Sequence, residues 1–435
     1  MLVNLLPLLF VSSSSFLHRL FILPTFHKVE VASPSFFPSF STPPSQASAE
    51  AAAETEADKL LSTPPDTTIK YKPTLHPSDP IIKSLLILSP SLTATALDLL
   101  DSRWNGNEVF KYTMSDTTSD TMSATTSDTM SDTMSDTMSY FVKLNRVEDP
   151  SVFTSEAVSL AALTKALPDA ATDDGGLPLP LPLLTPLPLH IGPLPKVGDI
   201  GPGSFMVLSY LPLVPFGSLK PEIQKSLGSS VASLHLSTAH DSLHKGRFGF
   251  PTSNFLSIMP MNNTWCDTWE ELFARRLTAQ LEKLGPNLAP GDVSILEKGA
   301  IILDNLDFYL ATTPPNKITP SLIHGDLWIG NTGATLEGNP CIFDPCCSFS
   351  HSEFELSPMA MFGGYGDGFF ESYWDKMGGK EEGFEVRSRL YTFYHYLNQL
   401  NIFGDTAVKK NCEDVSGDLV KMLAAAGAGA GVGGK

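Results

Sequence analysis

The segment LIHGDLWIGNTGATLEGNPCIFD, residues 322–344, carries the densest set of groups able to do chemistry. An apolar, strand-like run ends in His324-Gly325-Asp326, and Asn331 follows the aspartate by five residues. A second apolar run, Cys341-Ile342-Phe343, then delivers Asp344. Phosphoryl transfer from ATP needs a carboxylate to take the proton of the accepting hydroxyl, and oxygen ligands for the Mg2+ that bridges the phosphates. Asp326 has the place of the base. Asn331 and Asp344 supply the amide and carboxylate oxygens that Mg2+ prefers. Upstream, Lys143 stands in the β-rich run YFVKLNR and Glu156 in the helical stretch FTSEAVSL. A strand lysine oriented by a glutamate of the next helix is a phosphate-gripping pair. His324 is expected to anchor the loop backbone, since the pattern gives the proton to the aspartate.

These residues need a small mixed lobe and a larger helical one to hold them. Strands are predicted over 140–144 and 205–210, and a helix over 154–166. Residues 92–104 also show helical spacing. After Pro212 the apolar residues recur at three- and four-residue steps: Leu219, Ile223, Leu227, Val231 and Leu234, and later Leu390, Phe393, Tyr394, Leu397 and Leu400. Thr268 and Glu271 form a capping box ahead of the stripe that begins at Trp269, which is read as core. The expected architecture is α+β in two lobes. A β-rich N-lobe spans 50–212 and a helical C-lobe carrying the catalytic loop spans 213–423.

The composition of the 435 residues narrows the function further. There are 47 acidic against 29 basic side chains, a net charge of −18, so the basic footprint of a nucleic-acid binder is missing. No run reaches the roughly 18 apolar residues of a membrane span. The five cysteines, among them the adjacent Cys346 and Cys347, are too irregular for a disulfide scaffold or a zinc site. Residues 1–49 join a short apolar run to a Ser- and Pro-rich stretch with one acid, as a transit peptide for plastid import would; a mitochondrial or cytoplasmic location is the alternative. Residues 115–139 repeat S-D-T-M and S-D-T-T and are expected to form a solvated insertion within 113–139 that could hang over the nucleotide cleft. Residues 175–202 alternate Leu with Pro and are expected to form a stiff extended loop, and a flexible tail is expected from 424 to 435.

Taken together, these stretches resemble the fructosamine kinase, or ketosamine-3-kinase, family, relatives of the aminoglycoside phosphotransferases. FVKLNR, LGSSVASLHLS, RFGF, TWCDTWEELFARRL, LIHGDLWIGN, IFDPCCSFSHSEFEL, MFGGY and FYHYLNQLNIFG carry the resemblance. It implies a protein-kinase-like two-lobe fold and an ATP- and Mg2+-dependent phosphorylation of the third sugar hydroxyl of ketosamines. Glycated proteins or small ketosamines would be the substrates, ribulosamine and erythrulosamine ahead of fructosamine. It assigns the base to Asp326, the metal to Asn331 and Asp344, and the phosphates to Lys143 with Glu156. Asn107 begins a strand similar to the family's nucleotide-loop strand. Trp328 is a candidate wall for the substrate, and His351, Glu353 and Glu355 are candidates to touch it; Glu355 could instead orient the catalytic loop. Only Gly106 precedes the Asn107 strand where the family carries several glycines. That departure keeps open a binding protein without turnover. A kinase of another small hydroxyl compound, such as an aminoglycoside or choline, is the remaining alternative.

Overall fold

A computed structural model describes residues 74–88, 93–104, 107–115, 137–147, 149–167, 181–196, 201–215, 220–239, 241–287, 293–311 and 318–430. The presequence expected at 1–49 and the body of the repeat, 116–136, lie outside the described residues. The N-lobe runs α1 (Pro80–Leu88), β1 (Thr93–Trp104), β2 (Asn107–Ser115), β3 (Thr137–Asn145), α2 (Ser151–Ala166), β4 (Pro188–Leu194) and β5 (Gly203–Ser209). Its five strands form one antiparallel sheet in the order β1-β2-β3-β5-β4.

Side-chain alternation on β3 decides what each face of this sheet does. Tyr140, Val142 and Leu144 point into a core with Ile81, Ile82 and Leu85 of α1. Phe141 and Lys143 take the opposite face, where Phe153 and Leu160 of α2 pack on Met206 and Leu208. The lysine is thereby delivered to the helix that carries Glu156.

Three expectations are corrected here. Residues 93–104 form a strand, not a helix. Register shifts at Ala94/Ala96, Leu99/Asp101 and Asp101/Trp104 break the two-residue period that would have announced it. The Leu-Pro stretch supplies strand β4 and is not all loop: Pro188 and Pro193 are tolerated because β4 is the edge of the sheet. The expected tail is helical through Ala430, since its alanines favour a helix more than its glycines oppose one.

The chain crosses at 210–212 into the C-lobe. This begins with β6 (Leu213–Pro215), α3 (Pro221–Thr238), β7 (Asn254–Leu256), β8 (Met259–Met261), α4 (Trp269–Leu284), α5 (Ser294–Leu303) and α6 (Leu306–Tyr309). It continues through β9 (Pro320–Ile323), β10 (Thr332–Thr335), β11 (Pro340–Ile342), β12 (Ser348–His351), α7 (Leu356–Phe362), α8 (Asp367–Met377), α9 (Phe384–Phe403) and α10 (Thr406–Ala430). The capping box forms: Thr268 Oγ1 accepts from Glu271 N and the Glu271 carboxylate accepts from Thr268 N. Trp269, Phe273, Phe354 and Tyr391 then lock α4 to α9 through edge-to-face pairs, each worth about 0.5–1.5 kcal/mol. Helices α3 and α8 touch at Gly228, where a Cβ would lie 2.2 Å from the Phe369 carbonyl. Among the described residues no helix is long and apolar enough to cross a membrane.

Candidate active site

Two small antiparallel ladders position the acids. β9 pairs with β12 and runs into His324-Gly325-Asp326; β10 pairs with β11 and with β6, and β11 runs into Phe343 and Asp344. Backbone bonds sew the two ends together. Phe343 N donates to Asn331 O at 3.1 Å and Cys346 N to His324 O at 2.9 Å. His324 is fully buried. Its Nε2–H donates to Phe343 O at 2.9 Å, and its Nδ1 accepts from Asp326 N at 3.3 Å. Burial holds this imidazole below the usual histidine value, so it is neutral and ties the loop.

The structure brings Lys143, Glu156 and Asp344 to one point. Lys143 Nζ donates to Glu156 Oε1 at 2.6 Å and to Asp344 Oδ1, with the lysine only 5 % exposed. Burial alone would lower this ammonium, but the charges and hydrogen bonds of Asp344 and Glu156 hold it above the ordinary lysine value. Glu156 is pushed up to about 7 by its burial, opposed by Lys143 and reinforced by the Asp344 charge. Among the described residues Asp344 is one of three non-glycine residues at positive φ, 59°. That conformation is sparsely populated and is kept where surrounding structure demands it.

Asp326 stays half-buried, open enough for a proton to reach it. Asn331 Nδ2 donates to Asp326 O at 2.8 Å and to Asp326 Oδ2 at 3.1 Å, which orients that carboxylate. The other end of the same amide, Asn331 Oδ1, is buried with no hydrogen-bond partner among the described residues. An orphaned amide oxygen on the residue joined to Phe343, next to Asp344 in sequence, is a donor set suited to a hard divalent cation. An apolar cleft opens beside these acids. Phe141, Leu160, Leu208, Leu211 and Phe343 line it with Glu156 and Asp344, and its empty volume, open to solvent, is about 350 Å3. Pro186 of the Leu-Pro stretch also lines it.

The remaining expected site residues are placed otherwise. Asn107 heads β2, paired with Trp104, and the turn residues 105 and 106 lie outside the described residues. Trp328 is 1 % exposed and packs edge-on to Phe362, with no partner among the described residues for its Nε1–H. His351 Nδ1 is hydrogen-bonded to Tyr391 Oη at 2.8 Å. Glu353 takes a bidentate pair from Arg387, Nε at 2.7 Å and Nη2 at 2.8 Å. Glu355 accepts from His324 N and, at 3.0 Å, from Gly325 N, with His235 Nε2 at 3.8 Å. His351, Glu353 and Glu355 are all buried and have these partners within the C-lobe, and Glu355 takes the loop-orienting place that was its alternative.

Sequence reasoning missed Arg387 and His235. The signal for the first was present: Arg387 lies on the α9 face of Leu390, Tyr391 and Tyr394, and a cation on an apolar face requires a buried acid.

Comparison with known proteins agrees with this layout. The chain is 34 % identical over 288 residues to the chloroplastic protein-ribulosamine 3-kinase of Oryza sativa subsp. indica, spanning 66 % of this chain and 74 % of that protein. To the ketosamine-3-kinase of Mus musculus it is 32 % identical over 287 residues, spanning 61 % and 82 %. A solved structure assigned as a fructosamine-3-kinase from Haemophilus somnus 129PT superposes with a TM-score of 0.55 at 19 % identity, over 78 % of this chain and 96 % of that one. The two-lobe kinase-like fold is thus shared at 19 % identity. The sequence model named fructosamine kinase matches residues 185–419, the stretch that begins at the edge of the cleft and ends within α10. With more than half of its length so matched, the chain belongs to the fructosamine kinase family.

Proposed function

We propose that this chain is an ATP- and Mg2+-dependent kinase that phosphorylates the 3-hydroxyl of protein-bound ketosamines, ribulosamines and erythrulosamines ahead of fructosamines. The observation that carries this reading is the meeting of Lys143, Glu156 and Asp344 at the mouth of an apolar cleft, with Asp326 oriented by Asn331. Asp326 accepts the proton of the sugar hydroxyl, and Asn331 Nδ2 holds its carboxylate in place. Lys143, oriented by Glu156, offers its ammonium to the nucleotide phosphates. Asp344 and Asn331 Oδ1 would hold Mg2+, which when bound neutralises charge on the phosphates. Buried His324 fixes the loop backbone and takes no proton. The relatives named for ribulosamine and ketosamine supply the substrate class.

The test is ADP release by the full chain with a ribulosamine-bearing peptide, Asp326→Asn serving as the blank. Turnover of the wild type should exceed that blank by about 10²–10⁴-fold. Equal rates with a folded protein refute the kinase reading and leave a binding protein. We place the protein in the plastid on the composition of residues 1–49 and on plant relatives named chloroplastic. A reporter carrying residues 1–60 is expected in plastids, and cytosolic fluorescence would overturn this.

A further inference from the structure

Helix α2 is held to the C-lobe by more than the Lys143 bridge. Ser159 lies three residues beyond Glu156 on the same helix, fully buried. Its hydroxyl donates to Ser155 O at 2.9 Å, leaving the oxygen free to accept, and it accepts Cys347 N–H at 3.1 Å. The Cys347 thiol donates back to Ser159 O at 3.6 Å. Cys347 lies three residues beyond Asp344. One serine therefore joins the helix of the lysine-orienting glutamate to the segment of the metal-type aspartate, 188 residues away in sequence.

The bond has a buried continuation. Cys347 O accepts from Asn254 Nδ2 at 2.8 Å, Asn254 Oδ1 from Asn263 Nδ2 at 2.7 Å, and Asn263 Oδ1 from Arg276 Nη2 at 2.7 Å. A guanidinium can only donate. Arg276 therefore fixes the orientation of the Asn263 amide, that amide fixes Asn254, and Asn254 can present only its N–H to Cys347. Among the described residues Arg276 has no carboxylate in an ion pair, although it is 3 % exposed. Its shortest hydrogen bond is the one to this amide chain, and its Nη1 donates to Ser350 Oγ at 3.4 Å. Aligned amides polarise one another, so the carbonyl of Cys347 is engaged from one side and its N–H committed to Ser159 on the other. Burial keeps the Cys347 thiol protonated and able to donate.

We propose that Ser159 is a positioning residue: with Cys347 and the Asn254–Asn263–Arg276 chain it clamps α2 against the C-lobe, so that Glu156 meets Lys143 in the resting protein. The role rests on the kinase reading above. It makes the assembled lysine–glutamate pair a built-in state and not one that nucleotide must induce.

The test uses the full chain as wild type, Ser159→Ala, Glu156→Gln and the double variant. Two readouts are taken: amide exchange of residues 151–166, and the Kd of a non-hydrolysable ATP analogue with Mg2+. Loss of one buried acceptor should speed exchange of α2 relative to α4 by about tenfold and weaken the analogue by a similar factor. Because Ser159 acts through Glu156, Ser159→Ala should add no weakening in the Glu156→Gln background. Unchanged α2 exchange overturns the clamp, and so does a loss of affinity that multiplies with Glu156→Gln. A wild type that binds no analogue refutes the kinase reading alone; the exchange data still decide the clamp. Should Ser159→Ala fail to fold, Asn254→Ala cuts the same chain on the C-lobe side and is read identically.

Discussion

Replacing Glu355 by glutamine should cripple turnover without any change to a group that meets substrate. The Glu355 carboxylate is 1 % exposed and accepts two consecutive backbone N–H groups, those of His324 and Gly325. A carboxylate can accept at both oxygens, whereas a primary amide can accept at only one. In Glu355→Gln one N–H of the catalytic loop must face an NH2 group inside the core. Leaving that donor unpaired, and removing the charge from the surviving bond, costs about 2–4 kcal/mol in all. The loop can escape the donor–donor contact by shifting, and Asp326 moves with it, because its own N–H is tied to His324 Nδ1. If the whole cost falls on the alignment of the base, kcat drops by between about 30-fold and 10³-fold. Urea unfolding, measured beside ADP release, reads whatever part of the cost is taken globally, and the two losses together should reach about 2–4 kcal/mol. Glu355→Asp keeps both acceptors on a shorter stem and should fall between wild type and Glu355→Gln. Turnover and urea midpoint both equal to wild type in Glu355→Gln would refute the claim that this carboxylate holds the loop.

Gly325→Ala should be more severe than an ordinary loop substitution. At φ 88° an added Cβ would lie 2.3 Å from the Cys346 carbonyl, a backbone atom that cannot swing away, so loss of soluble folded protein or of all turnover is expected, and wild-type thermal stability would contradict it. The pH dependence of ATP use should carry the mark of Glu156. Only the ionised carboxylate can orient Lys143, so kcat/KM for ATP should rise as pH passes through about 7, and Glu156→Gln should remove that limb and lower the plateau. The sign for stability is the reverse: with a folded value raised above the ordinary 4.5, the folded state keeps a proton the unfolded state has lost, so this group's contribution is largest at low pH and fades between 4.5 and about 7. A flat ATP profile in the wild type would remove Glu156 from this role.

The reactive constellation was legible because its information is local. The Asp326-to-Asn331 spacing is a property of one turn, and the apolar runs before Asp326 and Asp344 announce the strands that carry them. Lys143 and Glu156 could be matched because an uninterrupted strand and an uninterrupted helix bear them. What stayed hidden depends on partners distant in sequence. Glu353 and Glu355 look alike from their neighbours, yet one is paired with Arg387 in α9 and the other accepts hydrogen bonds from loop amides 30 and 31 residues earlier. Strand β1 was lost to its bulges, since each extra residue inverts the alternation that pattern reading relies on. Strand β4 was masked by its prolines, because edge position is a property of the whole sheet and not of the segment.

Register also ranks the two departures from the family pattern. β2 and β3 stay paired from Glu108↔Leu144 out to Ser115↔Thr137. Lys143 pairs with Val109, close to the Asn107 end of β2, whereas the S-D-T-M repeat leaves the sheet after Ser115 and rejoins it before Thr137. Six strand residues separate Thr137 from Lys143, about 20 Å along the strand. The strand ends that flank the repeat, Ser115 and Thr137, are therefore at the end of the sheet remote from Lys143, and residues 116–136 lie outside the described residues. The Asn107 end of β2 is the near one, two residues before Val109, and residues 105 and 106 lie outside the described residues. The near end of the N-lobe sheet thus carries Lys143, while Asp326, Asn331 and Asp344 stay with the C-lobe ladders.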